Sequence, residues 1–232
     1  MRNKLAALST VVLVLASPLL WADGENISKV NGSIHVASGR QVGSVETVNG
    51  SIRLESSVTA GDIETVSGSI DIGSDSSVGD IDGVNGDVTL ERGVKAESVE
   101  LVNGELRIDE QAQVRGDVTS VNGDIVLARQ AQVGGHVENV NGAIELDAAR
   151  VGNGIKTTNG DIEIGAGSRV DGGIHVEKPD FSMFSSKKHK PKVTIGPDAV
   201  VNGTLRFDRP VELRISERAT VGKIVGATPI KD

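Results

Sequence analysis

The side chains available for chemistry are few. The chain has four histidines, His35, His136, His175 and His189, and no cysteine, so thiolate nucleophiles and thiolate metal sites are excluded. None of the histidines falls in an HExxH or HxxE metal spacing, and none has the partner pattern of a nucleophilic site. Aspartates recur after glycine, as Asp62, Asp80 and Asp117 and again as Asp87, Asp124 and Asp161. Calcium-binding β-rolls require GGxGxD at a nine-residue period, which the chain lacks. These carboxylates are expected to face water and keep the molecule soluble. A third set, Asn31, Asn49, Ser67, Asn85, Asn103, Asn122, Asn141 and Asn159, is more regular still. Stacked amides and hydroxyls bond from one coil to the next and satisfy corner backbone groups, so this column reads as structural. No catalytic residue, cofactor or metal is expected.

One stretch departs from this pattern. Residues 177–194 read EKPDFSMFSSKKHKPKVT, with Phe181, Met183 and Phe184 ahead of Lys187, Lys188, His189, Lys190 and Lys192. Five lysines against Glu177 and Asp180 give residues 177–192 a charge of +3, in a chain whose total is -8. Aromatics in such an insertion can fold back over the flank that carries it. Apolar anchors beside lysines also suit docking onto an anionic envelope component, a lipid surface or an acidic protein.

The elements that position these residues follow from a repeat. VNG occurs at 30–32, 48–50, 84–86, 102–104, 121–123 and 140–142, with VSG at 66–68 and TNG at 158–160. The turn glycines are spaced by 18, 18, 18, 18, 19, 19 and 18 residues, the mark of a stacked-repeat architecture. Every sixth residue from Val30 to Val114 is apolar, which does not fit a helical period. Three six-residue sides per coil describe an all-β, three-sided parallel β-helix, with a short strand on each side and Asn-Gly at a corner. In VNGSIRL, alternation sends Ile52 and Leu54 inward and Ser51 and Arg53 outward. The same rule puts His35 and His175 outside. The two extra residues of the 19-residue coils fall between Val114 and Val121 and between Val133 and Val140, stacked on the third side.

The pattern resumes after the insertion. IGAGSRVDGGIHV at 164–176 aligns with IGPDAVVNGTLRF at 195–207, and ISERATVGKIVG spans 215–226. In this register Asn202 belongs to the third side, outside the turn column. The reading is a signal peptide over 1–22, coils one to eight over 23–176 and a Phe- and Lys-rich loop over 177–194 that replaces the first side of the ninth coil. The final coils span 195–226, followed by a tail over 227–232 that could act as a modest cap. Ten coils at ~4.8 Å each give a rod of about 48 Å.

The start of the chain points to export. Arg2 and Lys4 precede an apolar run, Leu5 to Leu15, followed by Pro18 and Ala22, as in a secretory signal peptide cleaved after Ala22. The run is shorter than the ~20 residues a membrane span needs, so no span is expected after cleavage. The expected location is periplasmic or extracellular. Without Arg2 and Lys4 the chain has 22 basic against 32 acidic residues, a balance unlike that of a nucleic-acid binder.

IGPDAVVNGTLRF, IDEQAQVRGDV and ISERATVGKIV resemble the repeats of bactofilins, the polymer-forming bacterial cytoskeletal family. The VNGDI and VSGSI turns also resemble the repeats of secreted bacterial adhesin-like domains. The resemblance covers nearly the whole mature chain and implies a right-handed, three-sided β-helix that assembles end to end without nucleotide. Export departs from the cytoplasmic setting of bactofilins. A six-residue period is also the signature of left-handed hexapeptide acyltransferases, whose histidine base could only be His136 or His175 here. Those folds favour small residues where this chain has Ile34, Ile52, Ile70 and Val88. The expected function is a non-catalytic structural or adhesin-like envelope protein, a homo-oligomer or polymer through its solenoid ends. The alternative is a monomeric envelope-binding module acting through the 177–194 loop.

Overall fold

Short segments alternating Ile, Val or Leu with polar residues bury one face only when laid side by side, and a repeated coil lays them on itself. The computed structural model describes residues 24–179 and 190–231, and it is a parallel β-solenoid without helices among those residues. The expected signal segment, and Phe181, Met183, Phe184, Lys187 and Lys188 of the loop, lie outside the described residues.

Each coil contributes one strand to each of three walls. The first wall stacks eleven strands from Ile34–Val36 to Ile230–Lys231, and the third stacks eleven from Ile27–Asn31 to Ile224–Val225. The second wall has seven two-residue strands, Lys95–Ala96 through Thr220–Val221. Single bridges Gln41↔Thr59, Thr59↔Ser77 and Ser77↔Lys95 continue it toward the N-terminus. Every pairing is parallel, and equivalent residues meet, as in Ile52↔Ile70 and Asn103↔Asn122. About ten turns result, as the repeat predicts.

Two expected boundaries shift. Lys192–Ile195 is a regular first-wall strand paired with Ile162–Ile164 and Glu212–Ile215, so the insertion displaces the corner of the ninth coil and leaves its wall intact. The segment 227–232 is not merely a tail, because Ile230–Lys231 pairs with Arg214 and Ile215 as the last first-wall rung.

The core is narrow and aliphatic. Columns such as Val36, Leu54, Ile72, Leu90 and Ile108, and Val42, Ala60, Val78, Ala96 and Val114, are buried as the six-residue step predicts. The third apolar column differs. The strand Val45–Asn49 buries Val45 and Thr47, so alternation turns Val48 outward. The inward place on this wall is filled by Thr47, Thr65, Gly83, Leu101, Ser120, Asn139 and Thr157. Buried polar groups need partners, and the neighbouring turn supplies them. Thr47 and Thr65 Oγ1 donate to the carbonyls of Gly32 and Gly50 at 3.3 and 3.2 Å, and Asn139 Nδ2 donates to that of Gly123 at 2.8 Å. Ser120 Oγ and Asn139 Oδ1 have no partner among the described residues.

The turn glycine is required by stacking as much as by its dihedral angle. Gly123 has φ 135°, and a Cβ there would lie 1.9 Å from the Gly104 carbonyl oxygen of the coil below. Gly39 has φ 71° with nothing within 4 Å of such a Cβ. Gly39→Ala should therefore cost only the left-handed backbone penalty, about 1–2 kcal/mol, whereas Gly123→Ala must also separate two coils. Thermal melts followed by circular dichroism should show a clearly larger loss for Gly123→Ala; equal losses would refute the stacking constraint.

Candidate functional site on the outer face of the third wall

The amide column forms a ladder. Asn49 Nδ2 donates to Asn31 Oδ1 at 3.2 Å, and Asn103, Asn122, Asn141 and Asn159 each donate to the asparagine before them at 2.9–3.0 Å. Ser67 interrupts the run, and Asn85 Nδ2 turns to the Val66 carbonyl at 3.4 Å. At the far end Arg209 reaches past the ninth coil and donates to Asn159 Oδ1 at 2.6 Å and to the Thr158 carbonyl at 2.7 Å. Arg209 has no motif around it, and sequence reasoning missed it. Arg209→Met should lower thermal stability by about 1.5–3 kcal/mol, the worth of hydrogen bonds to a charged group. An unchanged denaturation midpoint would exclude this end-capping role.

The aspartates do more than solubilise. Asp62, Asp87, Asp117 and Asp124 each accept a backbone N–H from the next coil, those of Asp80, Glu105, His136 and Ala143, at 2.7–3.0 Å. Asp161 accepts the amide of Lys192 at 2.9 Å, so the same device re-seats the chain after the insertion. Asn202 lies outside the amide ladder, donating to Asp171 Oδ1 at 2.9 Å between the second and third walls. Lys190 and Lys192 are exposed at the return of the loop.

His35, His136 and His175 stand apart on the surface, and His189 lies outside the described residues. His35 lies 3.7 Å from Glu55, and His136 Nδ1 lies 3.5 Å from Asp117. His175 sits between Asp208, at 2.8 Å, and Glu177, at 3.7 Å. The surface of the described residues includes two shallow depressions. One is lined by residues including Lys190, Phe207, Arg209 and Pro210, the other by residues including Gln111, Gln130, Arg150 and Arg169; neither contains a histidine. Among the described residues no group of three or more His, Cys, Asp or Glu side chains is arranged to hold a metal ion.

The outward valines create a surface that the six-residue step had assigned to the core. Val48, Val66, Val84, Val102, Val121 and Val140 are half-buried against one another and do not pack on the core; Val30, at the open end of the column, is 67% exposed. Beside them runs a second outward column. Glu46, Glu64, Asp82 and Glu100 stack in register on consecutive rungs. No ion pair reaches any of the four among the described residues. Farther along the same wall the charges alternate. Lys156 lies 3.8 Å from Glu138 and 3.3 Å from Glu177, and Asp208 is held by Arg206 and His175, each at 2.8 Å. The Asp208 carboxyl is accordingly lowered, first by Arg206 and then by His175. These two columns were legible at 18-residue steps, because Glu46 and Val48 are two apart on one strand and share a face.

In the unpaired column protonation becomes easier. Asp82 is pushed up to about 6, mainly by desolvation from the rungs packed around its carboxyl, and further by repulsion from Glu100, Glu64, Asp80 and Asp62. Its residue as a whole still presents surface to solvent. Glu64 is raised by desolvation, then by Glu46 and Asp62. A raised carboxyl binds its proton more tightly in the native state, so its stabilising effect is complete below the ordinary value of 3.8 and is lost as pH rises through about 6. Asp82→Asn should therefore melt higher than the parent at pH 7, and the advantage should shrink as pH falls from 6 to 4. A melting point that changes with pH over that interval equally in parent and variant would contradict this.

In comparisons with family models, with curated proteins and with solved structures, nothing matched this chain.

Proposed function

We propose that this chain is a non-catalytic, exported structural or adhesin-like solenoid of the bacterial cell envelope that associates with its own copies end to end. The observation that carries the reading is the last rung of the rod. Val225 and Ile230 are 43% and 52% exposed there, and the strands Thr220–Val221, Ile224–Val225 and Ile230–Lys231 each pair on one side only among the described residues. Unpaired parallel edges over an apolar layer are a template for another strand. The sequence signals for export supply the location, and the resemblance to polymer-forming and adhesin-like repeats agrees with the shape.

The test is direct imaging. Protein lacking residues 1–22 should form filaments of one rod width by negative-stain electron microscopy, with mass rising with concentration in light scattering. Val225→Glu combined with Ile230→Lys should leave the circular dichroism unchanged and abolish the filaments. A monomer at every concentration would reject end-to-end assembly and favour the monomeric envelope-binding module. Recovery of the native protein from the cytosolic fraction of its bacterium would reject export.

A further inference from the structure

The outer face of the third wall has a second partner-fitting character, separate from the rod ends. Over the first seven rungs its valines form an apolar stripe of about 29 Å, six spacings of ~4.8 Å. The stripe is half-buried along its length and exposed at Val30, and a contiguous apolar surface rimmed by polar residues marks an interaction site. The acidic column flanks the stripe on four successive rungs with no counter-charge among the described residues. A ligand for this face must therefore present apolar groups and several positive charges side by side.

The chain itself contains such a segment. Residues 24–110 hold 16 acidic against 6 basic residues, a net of -10, whereas residues 111–231 hold 14 against 16, a net of +2. The basic excess is concentrated in residues 177–192, where Phe181, Met183 and Phe184 precede Lys187, Lys188, Lys190 and Lys192. We propose that the 177–192 segment of one copy docks on the third-wall outer face of a second copy, its apolar side chains on the valine stripe and its lysines on Glu46, Glu64, Asp82 and Glu100.

Chain geometry favours the second copy over the segment's own rod. The segment leaves the ninth rung after Val176 and returns to that rung at Lys192. Glu100, the nearest acid of the column, is four rungs away, about 19 Å. Pro179 to Lys190 spans at most about 36–40 Å fully extended. An excursion out to Glu100 and back consumes all of it and leaves Glu46 and Glu64 out of reach. In a neighbouring rod the segment meets no such limit, and ten extended residues match the length of the stripe. Growth at the rod ends is not required for this contact, so it stands or falls separately from the end-to-end reading.

Sedimentation velocity of the protein lacking residues 1–22 tests the contact, on a background of Val225→Glu and Ile230→Lys so that the ends are blocked. The blocked protein should still self-associate, and the association should weaken at least tenfold between 50 and 300 mM salt. Lys187→Glu, Lys188→Glu and Lys190→Glu together should make it monomeric. So should Glu46→Gln, Glu64→Gln, Asp82→Asn and Glu100→Gln together, a set that removes repulsion and should not impair folding by circular dichroism. The lysine-reversed protein mixed with a rod bearing Glu46→Lys, Glu64→Lys, Asp82→Lys and Glu100→Lys should associate again. A monomer in the blocked parent overturns the proposal. So does association lost on lysine reversal but kept on wall neutralisation, which would assign the segment to some other acidic surface.

Discussion

Parallel, in-register stacking is the constraint on which everything else in this molecule depends. Each residue lies one strand spacing, about 4.8 Å, from its counterpart in the next coil, and the 18- or 19-residue repeat makes that counterpart a residue of similar type. Like therefore meets like along most columns of the rod. For aliphatic side chains this is favourable without qualification, and the columns of Ile, Leu and Val close a narrow core that needs no aromatic bulk. For polar side chains the outcome depends on whether the group can be donor and acceptor at once.

Asparagine passes that test. Its amide donates to one neighbour and accepts from the other, so a ladder from Asn85 to Asn159 satisfies itself except at its ends, where Arg209 meets the last acceptor. Serine at position 67 lacks the reach, and the bonding shifts to a backbone carbonyl beside it. Aspartate cannot form such a ladder when ionised, because it only accepts. At the corners it finds a backbone N–H of the next coil, and its charge is put to structural use. On the flat outer face no backbone donor is available, and the same stacking brings carboxylate against carboxylate.

The period, the three walls and the turn column were legible because stacking writes itself into the sequence at one fixed interval. The inward columns at Val36 and Val42 followed the six-residue step. The column at Val48 did not, because the third wall carries a five-residue strand ending in the turn, which displaces its inward positions to Val45 and Thr47. An apolar residue at the right interval was therefore surface, and Thr65, Ser120 and Asn139 were core. The ends of the insertion were misplaced for a related reason. Lys192–Ile195 reads as part of a lysine-rich run, but Val193 and Ile195 are the inward pair of a wall strand, and only pairing with Ile162 and Ile164 reveals it. Arg209 was invisible because its partners are Thr158 and Asn159, with a whole insertion between them in sequence.

The contrast within the third wall separates what stacking compels from what it merely permits. Nothing in the fold requires four acids in succession. Farther along the same wall Lys156 stacks in register on Glu138 and also reaches Glu177 just beyond the next strand, and there the charges pair. Either half of the rod could have been built that way. In the N-terminal half the carboxylates stack without a counter-charge, and the raised protonation of Asp82 and Glu64 records first the desolvation of that packing and then the repulsion between neighbours. The free energy held there is released by whatever brings positive charge to the face, whether protons at low pH or a cationic side chain. Because the valines beside the acids add an apolar component that protons cannot use, the face discriminates in favour of a ligand carrying both kinds of group. The repeat that builds the rod is thus indifferent to function, and the departures from its symmetry, an unpaired acidic stretch at one end and a basic insertion toward the other, are where specificity can be held.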